Sequence, residues 1–160
     1  MKKDIFIDNN IASKFSNPQD KEYIKLTKWL LNFDVEDIEN KDNYAHLVVS
    51  KKLLVEYIRS NMNTFGGTSI PVIIDVLTRQ GRLNTIFNDE IKDFQAKYYT
   101  KTVEKKLKSN AEDREHIPVV LLSDRKFVLT LDENFAYDLT HFKGHSVTVE
   151  KRPQDLDYEK

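Results

Sequence analysis

The sequence predicts an α/β fold built around a buried, mostly parallel sheet, and three observations carry that expectation. The run Lys126-Phe127-Val128-Leu129-Thr130-Leu131-Asp132 is dense in apolar residues and then turns abruptly to an acid, as a strand buried on both faces does. Ile5-Phe6-Ile7 is followed at once by Asp8 in the same manner. Between them, residues 45–50 have the β-branched density of a strand and Lys51–Asn61 switches to helical periodicity, which is half of a βαβ unit. In open α/β sheets the crevice beyond the carboxyl ends of the strands holds the ligand, so two strands ending in Asp point to a shared acidic pocket.

The bulk numbers agree with that picture. A chain of 160 residues has the length of one domain, expected to span 1–150, with a polar tail at 151–160. Apolar residues at 39% and charged residues at 32% describe a globular protein with a charged surface, not a disordered chain. A net charge of −1 neither announces nor excludes a nucleic-acid partner, which leaves the decision to local patches. With no cysteine, disulfides, zinc–thiolate sites and a thiol nucleophile are excluded. No stretch approaches the ~18 apolar residues of a membrane span, and the apolar part of the first strand is too short for a signal peptide. The expectation is a cytoplasmic protein.

Taken in order, Asp8-Asn9-Asn10 offers caps for a short helical turn that holds Ile11, Ala12 and Phe15. Asn17-Pro18 reads as a helix start, and Tyr23, Ile24, Thr27, Leu30 and Leu31 form one apolar stripe on the helix that follows. Residues 32–43 are polar and read as a loop. In the helix after the second strand Leu54, Tyr57 and Ile58 face inward, with Glu56 at the edge of the apolar side, where it can reach the crevice. Residues 62–111 read as a helical excursion between strands. It opens with the flexible loop Thr64-Phe65-Gly66-Gly67-Thr68 and continues with a short helix begun by Ser69 and Pro71 and ended by Gly81. A longer helix follows, capped by Asn88 with Asp89 and Glu90, whose Ile91, Phe94, Tyr98, Tyr99, Val103 and Leu107 face inward. Residues 110–116 form a polar hinge, and 117–122 are assigned to a helix because a crossover must join parallel strands and Pro118 fits only near a helix start. After the 126–132 strand come a helix over 134–139, for which Asn134 is an available cap, a stop at Gly144, a last strand over 146–150 and a mobile tail.

Four acids occupy comparable places: Asp8 after the first strand, Glu56 in the helix after the second, Asp113 ahead of a helix and Asp132 after a later strand. Carboxylates crowded into one pocket repel unless a cation neutralises them, and hard oxygen ligands suit Mg²⁺ or Mn²⁺. Each acid also has an ordinary reading. An Asp after a strand is commonly a helix cap, Glu56 lies at a helix edge, and Glu112-Asp113-Arg114-Glu115 is a charge run of the kind that faces solvent. Asn9, Thr130 and Asn134 are secondary candidates that could orient a ligand or water. Asp138 is read as solvent-facing, and the histidines at 46, 116, 141 and 145 as structural or exposed. Lys51, Lys52, Arg59, Arg114, Arg125 and Lys126 offer a basic rim for a phosphate backbone. Lys97-Tyr98-Tyr99-Thr100-Lys101 mixes aromatics and lysines as single-strand binders do, although at helical spacing the tyrosines suit a core.

The stretches Ile5-Phe6-Ile7-Asp8-Asn9-Asn10, Val49-Ser50-Lys51-Lys52-Leu53-Leu54-Val55-Glu56-Tyr57, and Asp113 with Val128-Leu129-Thr130-Leu131-Asp132-Glu133-Asn134-Phe135 together resemble the PIN-domain nucleases. The resemblance covers roughly residues 4–150, with little signal over 62–111. It implies a three-layer α/β/α sandwich with a central, mostly parallel sheet of four to five strands. It also implies that Asp8, Glu56, Asp113 and Asp132 hold one or two Mg²⁺ or Mn²⁺ ions for hydrolysis of RNA. Small bacterial members of the family include VapC-type toxins, which adds a small antitoxin protein and a homodimer to the expected partners. Pro118 departs from the family's Ala-rich helix after the third acid, so Glu112 and Glu115 stand as alternatives to Asp113. A catalytically inactive PIN-like RNA-binding or regulatory module is the main rival reading, and a flavodoxin-like receiver with Asp8 among its acids is a weaker one.

Overall fold

A computed structural model describes residues 1–16, 19–61 and 69–160. The elements run β1 (Lys3–Ile7), α1 (Asn9–Ala12), α2 (Lys21–Leu31), β2 (Ala45–Val49), α3 (Lys51–Asn61), α4 (Ile70–Arg79), β3 (Leu83–Thr85), α5 (Asn88–Tyr98), α6 (Lys101–Lys106), α7 (Ala111–Arg114), α8 (Ile117–Leu121), β4 (Phe127–Leu129), α9 (Glu133–His141) and β5 (Thr148–Glu150). The strands form one five-stranded sheet in the order β3-β2-β1-β4-β5. Every pairing is parallel, with Ile5 opposite Leu47 and Ile7 opposite Leu129. Helices cover both faces, which makes the expected three-layer α/β/α sandwich. The chain leaves β1 towards β2 on one side and returns to β4 on the other, so the carboxyl ends of β1 and β4 flank the point where the strand order reverses.

Burial explains why these runs became strands. Ile5, Phe6, Ile7, Leu47, Val48, Val49, Val128 and Leu129 are all fully buried, as expected of a sheet covered on both faces. Helix α2 starts at Asp20, whose carboxylate accepts from the Glu22 N–H at 2.9 Å, and buries Tyr23, Leu26, Thr27 and Leu30. The predicted start at Asn17-Pro18 and the Thr64–Thr68 loop lie outside the described residues. Gly81 ends the α4 turn with φ +66°, a conformation costly for any side-chain-bearing residue.

Five expectations need correction. The excursion over 62–111 contains a strand, β3, whose three residues are too few for periodicity to register. The single helix expected from Asn88 is two, α5 and α6, because the chain leaves helical geometry at Tyr99 and Thr100 begins anew by capping the Val103 N–H. Asn88 is not the cap: Glu90 accepts from the Phe87 N–H at 2.8 Å one residue earlier. Ile58 is exposed, and Leu53 takes the inward place on α3. The polar tail is packed, with Leu156 and Tyr158 buried, Tyr158 edge-on to Trp29 and Arg152 bonded to Asp20.

Two buried charges fix the sheet from the end opposite the crevice. Asp4 is fully buried and accepts from Asn84 Nδ2 at 2.7 Å and from the Asp124 and Arg125 N–H groups at 2.8 Å each. It thereby ties β1 to β3 and to the turn that feeds β4. Arg82 is also fully buried, and its guanidinium donates to the carbonyls of Leu30 and Ala45 and to Gln80 Oε1. Asp4→Ala would leave three donors, one buried and two part-buried, without their acceptor and should cost about 3 kcal/mol. A urea titration with unchanged slope and a lowered midpoint is the expected result; an unchanged midpoint would show that the three bonds hold nothing.

Candidate functional site

Asp8 follows the last residue of β1 and sits where the strand order reverses. Its N–H donates to the Leu129 carbonyl at 2.9 Å, an extension of the β1–β4 pairing that fixes where the side chain emerges. The carboxylate caps α1 by accepting from the Asn9 N–H at 2.7 Å, and it accepts from the Thr130 hydroxyl at 2.6 Å. Burial pushes the Asp8 carboxyl above the usual range, in spite of those two bonds, and the Glu56 charge adds to the rise while His116 opposes it. Asp8 is therefore both cap and crevice acid. From behind, the buried Tyr57 hydroxyl donates to the Ile7 carbonyl and ties α3 to the end of β1.

Thr130 is buried and central. Besides donating to Asp8, its Oγ1 accepts from the Asp132 N–H at 3.1 Å, so one hydroxyl spaces two candidate acids. Asp132 caps α9 through the Phe135 N–H at 3.0 Å. Asn134, the cap available from sequence, is instead exposed inside the first turn of the helix. Asp113, in α7, has the Asp132 carboxyl as a neighbour. Burial first, then the approach and charge of Asp132, then the charge of Asp8, push the Asp113 carboxyl up to about 6. Ionised carboxylates repel at close range, so the arrangement favours the protonated form of Asp113. The alternatives to Asp113 both line the cleft that Glu56 lines, and Glu115 pairs there with Lys52 at 2.9 Å.

Glu56 reaches the same crevice from α3, and its partner is the residue that sequence reasoning missed. His116 is buried, and its Nε2 lies 3.0 Å from both carboxylate oxygens of Glu56. His116 Nδ1 is buried with no hydrogen-bond partner, and the ring lies against Phe6 and Phe135. A signal was available in the spacing: His116 stands three residues after Asp113, one helical turn on, and its N–H donates to the Asp113 carbonyl at 2.9 Å. Asn9 adds an amide whose Nδ2 donates to Ser60 Oγ at 2.7 Å and whose Oδ1 is buried without a partner.

The structure thus brings Glu56 and His116 near Asp8, and Asp8, Asp132 and His116 near Asp113. Among the described residues, however, no three acidic or imidazole side chains are arranged to hold a metal ion. Asp138 is not solvent-facing as expected. It is buried, and it accepts from the Lys108 and Ser109 N–H groups and the Ser109 hydroxyl.

The basic rim is smaller than the sequence suggested. Lys51, Lys52 and Arg59 line a cleft of about 500 Å³ that Glu56, Glu112 and Glu115 line as well, with Lys52 paired to Glu115. The Arg114 guanidinium instead holds the Ser109 and Leu107 carbonyls, and Arg125 holds those of Asp4 and Tyr158. Arg125 and Lys126 precede β4, which places them at the end of the sheet away from Asp132. Tyr98 and Tyr99 pack with Phe94 in an aromatic cluster, in line with the core reading of the Lys97–Lys101 stretch.

The chain matches no family model, no characterised protein and no solved structure. Among the described residues no helix is long and apolar enough to cross a membrane.

The Asp113–Asp132 contact makes a pH prediction. A carboxyl whose folded value is about 6, against an ordinary 3.8, penalises the fold when ionised. That penalty is complete above about 6 and is relieved as the pH falls through 6 towards 3.8. Thermal unfolding in chelator-treated buffer should show a midpoint that rises as the pH is lowered across this window, and Asp113→Asn should flatten the rise. Identical profiles for the two proteins would mean that the carboxyls do not touch.

Proposed function

We propose that the protein is a divalent-metal-dependent phosphodiester hydrolase of the PIN type that acts on RNA, with Asp8, Glu56, Asp113 and Asp132 as its acidic site. The single observation that carries this reading is the Asp113–Asp132 pair, a carboxyl contact that needs a positive charge and sits beside Asp8 at the switch point of the sheet. Below about pH 6 a proton fills that need; above it the charge is uncompensated, and a cation would offset it.

The donor chemistry fits Mg²⁺ or Mn²⁺. Hard carboxylate oxygens face the crevice, and Asn9 Oδ1 is buried nearby without a partner. Mg²⁺ keeps several of its waters and is commonly bound by only one or two carboxylates, so a preformed cage of three is not a requirement. When bound, such an ion supplies an activated water and stabilises charge on the phosphate under attack. The chain's own residues do the remainder. Thr130 holds Asp8 and Asp132 apart at fixed places, His116 fixes the orientation of the Glu56 carboxylate, and Lys51, Lys52 and Arg59 attract the phosphate backbone along the adjacent cleft. An antitoxin-like partner and self-association remain parts of the same proposal.

A second reading, a PIN-like module that binds RNA without cleaving it, is favoured by one observation: both Glu56 carboxylate oxygens are already engaged by His116 Nε2. Mn²⁺ calorimetry and cleavage of a fluorescent single-stranded RNA separate the two. Asp8→Asn and Asp132→Asn are suitable variants because Asn caps a helix as well as Asp does. Both should leave the unfolding midpoint nearly unchanged while Mn²⁺ binding weakens at least tenfold and cleavage falls at least a hundredfold. Wild-type protein that binds no Mn²⁺ at millimolar concentration would favour the module.

A further inference from the structure

A second cavity lies at the other end of α9 from Asp132, formed where the carboxyl-terminal turn of that helix meets α6, and it has a volume of about 500 Å³. Its apolar lining comes from Val103 and Leu107 on one side and from Tyr98 and Phe142 on the other. Tyr137 and His141 stack against each other at its margin, with ring centroids 3.8 Å apart and planes inclined by 18°. This extended flat surface is left exposed although it is as aromatic as a core.

Apart from Asp138, the charged residues around the cavity are cationic. Lys106 and Lys143 are exposed lining residues that form no ion pair among the described residues, and Lys108 holds its ammonium 3.7 Å from the Tyr137 ring centroid. Asp138 is the one carboxylate in the lining, and its oxygens are taken up by the Lys108 and Ser109 N–H groups and the Ser109 hydroxyl. Its charge is therefore spent inside the protein. The space that remains is apolar within, flat-walled and cationic at its mouth.

From this geometry we infer that the cavity binds a small aromatic anion, a ring system of one or two fused rings carrying a single acidic group. The rings lie against the Val103, Leu107 and Phe142 side chains, with the Tyr137–His141 stack at the margin, and the acidic group faces Lys106 and Lys143. A volume of about 500 Å³ accommodates a ligand of this size, and apolar walls with a few placed charges are what small-molecule sites ordinarily present. The inference is independent of the acidic site, since no residue of that site lines the cavity.

The test uses two fluorescent probes of nearly equal shape, 8-anilinonaphthalene-1-sulfonate and the uncharged N-phenyl-1-naphthylamine, each titrated into the full chain. The sulfonate should bind one per chain in the micromolar range, at least tenfold tighter than the neutral probe. Lys106→Glu combined with Lys143→Glu, both exposed and safe for folding, should weaken the sulfonate at least tenfold and leave the neutral probe within twofold. Val103→Trp, which fills the space, should abolish binding of both while the circular dichroism spectrum is retained. Equal affinities for the two probes, sulfonate binding indifferent to the double charge reversal, or no binding at 1 mM would each overturn the inference.

Discussion

The central strand carries a carboxylate at each end, and the way each one is satisfied divides the molecule into a structural end and a chemical end. Asp4 is enclosed and receives three N–H donors, so its charge is compensated by the protein itself. Asp8, four residues further along, receives one N–H and one hydroxyl and faces other acids. The register of β1 against both neighbours fixes these environments, because sliding the strand by one residue would turn both carboxylates to the opposite face. The crevice can be under-compensated only because the opposite end of the same strand is held so firmly.

Much of this was legible in the chain. Strands buried on both faces cannot alternate apolar with polar residues, so Ile5-Phe6-Ile7 and Phe127-Val128-Leu129 stand out as short apolar runs, and the acids that end them follow from the geometry of a parallel sheet. What stayed hidden depended on tertiary contact. Leu83-Asn84-Thr85 becomes a strand because β2 offers it a free edge and Asp4 takes its Asn84 side chain, and nothing local in three residues announces either. Leu156 and Tyr158 are islands in a polar stretch, and only the groove beside Trp29 makes them core.

The acids themselves were readable as positions but not as pairs. A sequence gives Asp113 and Asp132 nineteen residues apart and Glu56 sixty residues from His116; it does not give the α7–α8 corner that turns Asp113 towards Asp132 and His116 towards Glu56. His116 escaped because histidine ligands are sought at paired spacings along one helix, whereas its partner here is a carboxylate from a different layer segment. Asp132 and Asp8 are ordinary helix caps as well as crevice acids. The cap geometry is what aims their second oxygens, so the two readings of each residue describe one arrangement.

The two halves of the crevice meet their excess negative charge by different means, and the difference bears on how a cation would enter. On one side Glu56 faces an imidazole held by buried aromatic rings, a partner that cannot leave. On the other, burial and the neighbouring Asp132 carboxyl push Asp113 up to about 6, so near neutral pH the pair carries mostly uncompensated negative charge. If the protein is the metal-dependent hydrolase proposed above, a doubly charged ion beside Asp113 would offset the repulsion from Asp8 as well, whereas an ion at Glu56 would have to compete with His116. The two sides of the crevice thus differ in electrostatics: Asp8 and Asp113 are pushed upward by burial and by neighbouring acids, while Glu56 is held by its histidine and flanked by the lysine and arginine side chains of its own helix.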